Sequence, residues 1–322
     1  MIIVRFTGAL LLAVSLAAAA QDPYPSRPVR VLVPYAPGGA TDIIARIVSA
    51  KLTESLGQSF VVENRTGANG NLALEAAAKA TPDGYTLLVG NVSTNAINEN
   101  IYREQLTIQP SRDLVGITKL VEIPHIVVAS ASFPANSIAE LIAAAKKEPG
   151  KINFASAGNG TTNHLSGELF KSRANIDIVH VPYRGAGPAM NDIVGGHVQM
   201  FFDLMPVVLP QIATGKVRAL ANAGAKRPSA LPDVPTIAEQ GLAGFDASSW
   251  YGLVAPARTP EPVLAKLRDE VAKALKAPDM IARIHELGSE PGTVFGSDFG
   301  AFMAAETRKW ADVIRTSGAK AD

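Results

Sequence analysis

Cysteine is absent from all 322 positions. Disulfides, thiol nucleophiles and thiolate metal sites are thereby excluded, and so is the lipidated cysteine that would tether an exported bacterial protein. An excess of one charge is missing too. Lys and Arg number 30 against 29 Asp and Glu, and no basic block with interleaved aromatics occurs, which argues against a nucleic-acid partner. A near-neutral chain has a weak overall field, so selection of a charged ligand falls to short-range groups in a cleft. The five histidines, His125, His164, His180, His197 and His285, are scattered without metal-ligand spacing. Neither G-x-S-x-G nor H-E-x-x-H is present, and no glycine loop carries the lysine of a P-loop. No catalytic residue, metal ligand or cofactor is therefore assigned. Triads assemble in space, so the missing motifs alone do not exclude an enzyme.

What is present begins with "MIIVRFTGALLLAVSLAAAA", residues 1–20. Arg5, a short apolar core and a small-residue end at Ala18-Ala19-Ala20 predict a cleavable secretory signal rather than a membrane anchor. No later run is long and apolar enough to span a membrane. The expected product is a soluble periplasmic protein of about 300 residues, long enough for one large or two medium domains.

Beyond the signal, short apolar runs alternate with amphipathic ones. "VRVLVPY" (Val29–Tyr35) reads as a strand and "TDIIARIVSAKLTESLG" as a helix, with Ile43, Ile44, Ile47, Val48 and Leu52 on one face and Gly57 as its stop. The rhythm continues through "SFVVENR", "NGNLALEAAAKATPDG" and "YTLLVGN". It restarts at "PHIVVASASF", followed by a helix capped by Ser137 with Glu140 in capping-box position. This predicts an α/β protein with two lobes, each a mostly parallel sheet flanked by helices. A helical tail from Pro262 to about Leu287 and a last helix from about Asp298 to Ile314 would pack back on the first lobe. Residues 21–122 with 251–322 then form lobe 1 and 123–250 lobe 2, with chain crossings near Val121–Pro124 and Trp250–Pro256.

Ligands of open α/β sheets bind beyond the carboxyl ends of strands, where helix N-termini expose N–H groups. Pro37, Gly38 and Gly39 stand at such an end, with Thr41 or Asp42 able to cap the helix. "ASAGNGTTNHLSGELF" repeats the layout: Ser156 ends a strand, Gly158 and Gly160 form a turn, and Thr161 or Thr162 caps a helix with His164 in its first turn. In the third stretch, Gly185, Ala186 and Gly187 precede Pro188 at a helix start. A fourth, "LLVGNVSTNAIN", places Ser93, Thr94 and Asn95 after a buried strand. Each stretch alone also fits a plain turn, a packed histidine or self-capping loop residues. Three glycine-started helices in one chain are less easily dismissed as unrelated turns, and facing one cleft they would make an anion pocket for a carboxylate or phosphate.

The ordered set "PYAPGGATDIIAR", "ENRTGANGNLALEAAAKATPDGYTLL", "SAGNGTTNHLSGELF", "VPYRGAGPAMNDIVGGHVQMFFD" and "LPDVPTIAEQG" resembles the periplasmic solute-binding proteins of tripartite tricarboxylate transporters, the Bug family. The resemblance covers essentially the whole chain after the signal. It implies a Venus-flytrap fold, capture of a carboxylate without chemistry, and delivery to a small and a large membrane subunit. By motif position it implies ligand contacts from Tyr35, Pro37, Gly38, Gly39, Asp42, Ser93, Thr94 and Asn95 in one lobe. In the other it implies Ser156, Gly158, Thr161, Thr162, His164, Gly185, Ala186 and Gly187, often through bridging waters. The family stretch often reads Gly-Gly-Gly where this chain has Gly185-Ala186-Gly187. Asp203 would meet a ligand ammonium or else steady its own loop. A monomer is the default for such a carrier. The same flytrap would also serve a sensor that loads a receptor kinase, and an exported hydrolase is the alternative of another class.

Overall fold

A computed structural model describes residues 24–321; the expected signal, residues 1–20, lies outside the described residues. The chain runs β1 (Val29–Val33), α1 (Ala40–Leu56), β2 (Phe60–Asn64), α2 (Asn71–Ala78) and β3 (Thr86–Asn91). A π-helical turn (Ser93–Ile97) leads into α3 (Asn98–Ile101), then α4 (Pro110–Asp113) and β4 (Leu114–Ile123). The second unit is β5 (His125–Ser130), α5 (Ile138–Lys147), β6 (Asn153–Ser156), α6 (Thr162–Ala174), β7 (Val179–Pro182), α7 (Ala186–Val194), β8 (Met200–Leu204), α8 (Met205–Ala213) and β9 (Val217–Asn222). The chain closes with β10 (Ser249–Pro256), α9 (Glu261–Ala274), α10 (Pro278–Glu286), β11 (Glu290–Pro291) and α11 (Gly296–Ser317).

Two sheets result, in the orders β11-β4-β10-β3-β1-β2 and β7-β6-β8-β5-β9. The architecture is the two-lobed α/β fold expected, but both sheets are mixed. β1 pairs parallel with β2 and β3, and β6 with β7 and β8, as strand–helix–strand units require. The strands that carry the chain between the lobes, β4, β5 and β10, enter antiparallel. The first switch of sheet occurs at Pro124, between β4 and β5. The return occurs between Ala247, whose N–H bonds Ala223 O at 2.8 Å, and Ser249, which pairs with Ile123, just ahead of the Trp250–Pro256 segment.

Local chemistry sets the element ends. Gly57 takes a left-handed conformation (φ 70°) to close α1, its N–H returning to Thr53 O. Ser137 Oγ accepts the Glu140 N–H at the start of α5. The tail read as one helix is two, because Pro278 cannot continue α9 and instead opens α10. Burial follows the strand period: Val29, Val31 and Val33 enter one hydrophobic layer and Leu32 the layer on the other face. Both layers run through both lobes, so each sheet is covered on two faces. α11 joins the lobes on one side, packing on β4, the π-helical turn and α6. It is fastened by buried Glu306, whose Oε2 accepts the indole N–H groups of Trp250 (2.9 Å) and Trp310 (3.1 Å). No helix among the described residues is long and apolar enough to cross a membrane.

Candidate functional site

Four parallel strands, β1, β3, β6 and β7, each end in a turn that starts a helix. At the end of β1, Pro37, Gly38 and Gly39 are exposed, and Gly38 adopts φ +85°, which glycine permits. Gly39, not Thr41 or Asp42, is the N-cap of α1. Asp42 serves the loop from inside the helix. Its Oδ2 accepts the Gly38 N–H (2.9 Å) and Arg46 Nε (2.9 Å), and its Oδ1 accepts Asn64 Nδ2 (2.9 Å). The Arg46 hydrogen bond, with those from Gly38 and Asn64, holds this carboxyl at about 2, against the opposing effect of burial.

At the end of β3, Asn91 and Thr94 form a reciprocal cap. Asn91 Oδ1 accepts the Thr94 N–H (3.2 Å), and Thr94 Oγ1 accepts the Asn91 N–H (3.0 Å). Tyr35 joins this cap, its hydroxyl donating to Asn91 Oδ1 (3.2 Å), and its phenol is raised chiefly by burial. Ser93 is buried beside it, whereas Asn95 lines a separate cavity of about 130 Å³ with residues of α4, β4 and α11. The segment capping its own backbone is thus realised at Asn91 and Thr94.

In the second lobe, Thr161 is the N-cap of α6: its Oγ1 accepts the His164 N–H (3.4 Å) and donates to Gly158 O (2.7 Å). Thr162 is the first residue of the helix. Ser156 Oγ accepts the Gly158 N–H (3.1 Å), and His164 Nδ1 accepts the Gly160 N–H (3.1 Å). Gly185 caps α7 with φ +105°, and its N–H is bound by Ala157 O (3.1 Å), which ties the third start to the second. A Cβ on Gly185 or Gly187 would meet open space, as would one on Gly38. Helix α7 begins at Ala186, so Pro188 stands third in the helix rather than first.

The N–H groups of Gly38, Gly158, Gly160 and Gly185 are already engaged, so these glycines shape the loops. The groups without an intrahelical acceptor are those of the first-turn residues Ala40, Thr41, Asp42, Thr162, Asn163, Ala186 and Gly187.

The lobes meet beside these starts. A Cβ at Gly160 would lie 2.9 Å from Ile101 Cδ1, so the α6 loop abuts the end of α3. Tyr251 of β10 is buried and interacts electrostatically with both Tyr35 and Asp203. Its phenol is pushed up to about 12 by burial, partly offset by a hydrogen bond with Ser249 and reinforced by the Asp203 charge. Asp203 is 3 % exposed. Its Oδ1 accepts Asn163 Nδ2 (2.9 Å) and the Leu204 N–H (2.8 Å), while Oδ2 is buried without a protein partner. Burial raises this carboxyl to about 7. Asn163, His180 and Tyr251 escaped the sequence reading. Each acts through a contact distant in the chain, and the register that sets His180 opposite Phe154 leaves no mark in the local pattern. Among the described residues no group of His, Asp and Glu has metal-site geometry.

The largest cavity described, about 670 Å³, lies away from the helix starts. It sits against both crossing segments, between the 224–229 loop and β11, where Ser229 Oγ donates to Glu290 Oε1 at 3.2 Å.

Two mixed α/β lobes joined by two crossings, with the α6 start set against the other lobe, have the architecture of a two-lobed solute-binding protein. The chain belongs to the tripartite tricarboxylate transporter receptor family, whose model matches residues 44–319. It is 36 % identical over 299 residues to the protein BugT of Bordetella pertussis, covering 93 % of this chain and 92 % of that one. Among solved structures it resembles Rpa4515 of R. palustris with adipate, at 35 % identity and a TM-score of 0.80, covering 92 % of this chain and 99 % of that one. It also resembles MatC of Rhodopseudomonas palustris with bound malate, at 35 % identity and a TM-score of 0.76, covering 90 % and 100 %.

Proposed function

We propose that this protein captures a small organic carboxylate between its lobes in the periplasm and delivers it, unaltered, to the membrane subunits of a tripartite tricarboxylate transporter. The observation that carries the reading is the seating of the α6 start against Ile101 of the other lobe, with the glycine loops of both lobes fixed by internal bonds and their first-turn N–H groups left without helical acceptors. Each such terminus favours an anion by about 0.3–1 kcal/mol, and by up to ~2 kcal/mol when partly buried. A carboxylate reaching starts on both lobes stabilises the closed arrangement by its differential affinity. The relatives with adipate and malate support ligands of this class. Tyr35, Ser93, Ser156, Thr161, Thr162 and His164 would frame the anion, with Asp42 steadying the first loop.

A thermal-shift screen of mono-, di- and tricarboxylates on the purified mature chain tests this. A cognate ligand at 100 times its dissociation constant adds about 2.7 kcal/mol. Mass spectrometry of small molecules released on denaturation identifies the occupant. Absence of any shift across the series, or turnover of a bound acid in a timed assay, would overturn the reading.

A further inference from the structure

His164 and His180 lie face to face, ring centroids 3.8 Å apart and planes within 8°. Each ring ends on the glycine loop that starts α6. His164 Nδ1 accepts the Gly160 N–H at 3.1 Å, so that nitrogen carries no proton and the neutral ring holds its hydrogen on Nε2. Ser156 Oγ donates to Gly158 O (3.1 Å) and accepts the Gly158 N–H (3.1 Å). With the hydroxyl hydrogen directed to Gly158 O, His180 Nε2 donates its N–H across the 2.6 Å contact to Ser156 Oγ. The two rings therefore fix both glycines of the turn, one directly and one through a serine.

We propose that the His164–His180 stack is a proton-sensitive clasp: neutral, it sets the 158–161 turn for carboxylate binding; protonated, it lets the turn go. This rests on the carboxylate reading of the same helix start. A proton entering at His164 Nδ1 would set donor against donor at Gly160, and two charged rings cannot stack at this distance. The surroundings bias where the proton goes. On α6, Glu168 Oε1 stands 3.9 Å from His164 Nε2, and Lys171 bears on Glu168 in turn. On β6, Phe154 stacks on His180 at 5.0 Å and Ser156 takes its N–H. On β8, Asp203 is held one residue away by Asn163. A carboxyl thus faces His164, while burial and the His164 ring lower His180 to about 3. His164 takes the proton, and His180 is a positioning residue that acts through it and through Ser156.

Nitrogen NMR of the imidazoles and amide exchange of the full mature chain test the clasp without any ligand. Both rings should be neutral Nε2–H tautomers at about pH 7, and protection of the Gly160 amide should fall as His164 titrates on acidification. His164→Phe keeps a stacking ring but removes the acceptor, so Gly160 protection should drop about tenfold at neutral pH. His164→Asn supplies an acceptor that does not titrate, so protection should persist on acidification. An Nδ1–H tautomer at His164, unchanged Gly160 protection in His164→Phe, or an unaltered pH response in His164→Asn would each overturn the clasp. Calorimetry with adipate is the functional arm: its affinity should fall more steeply on acidification in the parent chain than in His164→Asn, where only the ligand's own protonation remains. If no carboxylate of the series binds at neutral pH while the NMR results hold, the ligand reading has failed and the clasp has not.

Discussion

Replacing Asp203 by Asn should remove the loss of stability that this buried carboxyl causes as pH rises. The carboxyl is 3 % exposed, with Oδ2 unpartnered, and its value rises from an ordinary 3.8 to about 7. The native state thus keeps a proton across an interval in which the unfolded chain has released it. Stability from this group is fully present below the unfolded value and is lost as pH rises through the native one. At about 1.4 kcal/mol per pH unit, the loss between roughly pH 4 and pH 8 amounts to about 4 kcal/mol. In Asp203→Asn the Oδ1 contacts from Asn163 and Leu204 N can persist, and no charge is buried. One unpaired amide N–H group takes the place of Oδ2, at a cost of about 1–3 kcal/mol at every pH. The variant should therefore be equal to or less stable than the parent at about pH 5 and gain steadily on it towards pH 8. Thermal melts across that range read the difference, at about 2 °C or more per kcal/mol for a chain of this size. Parallel curves for the two proteins would refute the reasoning, because they would mean that Asp203 ionises in the folded state as it does in the unfolded chain.

Other perturbations have equally definite outcomes. Gly39→Val should weaken binding of the carboxylate found by the screen while costing about 1 kcal/mol or less in stability. Gly39 has φ −76°, and an added Cβ meets only Ala36 O at 3.7 Å, so unchanged affinity would mean the loop is a plain turn. Gly70→Ala should be destabilising by about 1–3 kcal/mol in urea melts, because φ is +88° and the new Cβ would lie 2.7 Å from Thr94 Cγ2 and 2.8 Å from Pro34 Cβ. Glu306→Leu strands two buried indole N–H groups and should cost about 1–3 kcal/mol for each. Fully buried His125, lowered to about 4 by burial, works in the opposite sense to Asp203. Its contribution is present at neutral pH and is lost as pH falls from about 6.5 towards 4, so His125→Phe should flatten the acid limb of the stability curve.

Most strands, the longer helices of both lobes and the caps at Gly57, Ser137 and Thr161 were legible because each is a local pattern of apolar period and terminal residue, whereas β4, α8 and the two-residue β11 were not read. The antiparallel entry of β10 was not, since pairing partners more than a hundred residues apart leave no periodic trace. The site divides the same way. Glycine turns at strand ends announce themselves, and three of them lie where α1, α6 and α7 start. What they do was hidden, because the acceptors that hold them (Asp42, Ser156, His164, Ala157 O) become visible only when the loops are folded. Tyr251 and His180 sit in strands whose sequences advertise burial and nothing more.

The place of β10 has a consequence for the order in which the molecule can form. In the first sheet it lies between β3 and β4, bonded to both. During synthesis β1, β2, β3 and β4 emerge early, yet the strand that joins them follows only after the whole of the second lobe. Until residues 249–256 arrive, the first sheet is two fragments with open inner edges. The second lobe has all its strands by residue 222 and can close first. The first lobe waits for a late stitch across a long sequence separation, the slow kind of pairing. A chain halted before β10 would therefore hold one finished lobe and one unfinished sheet, a state open to partners that recognise unfolded segments.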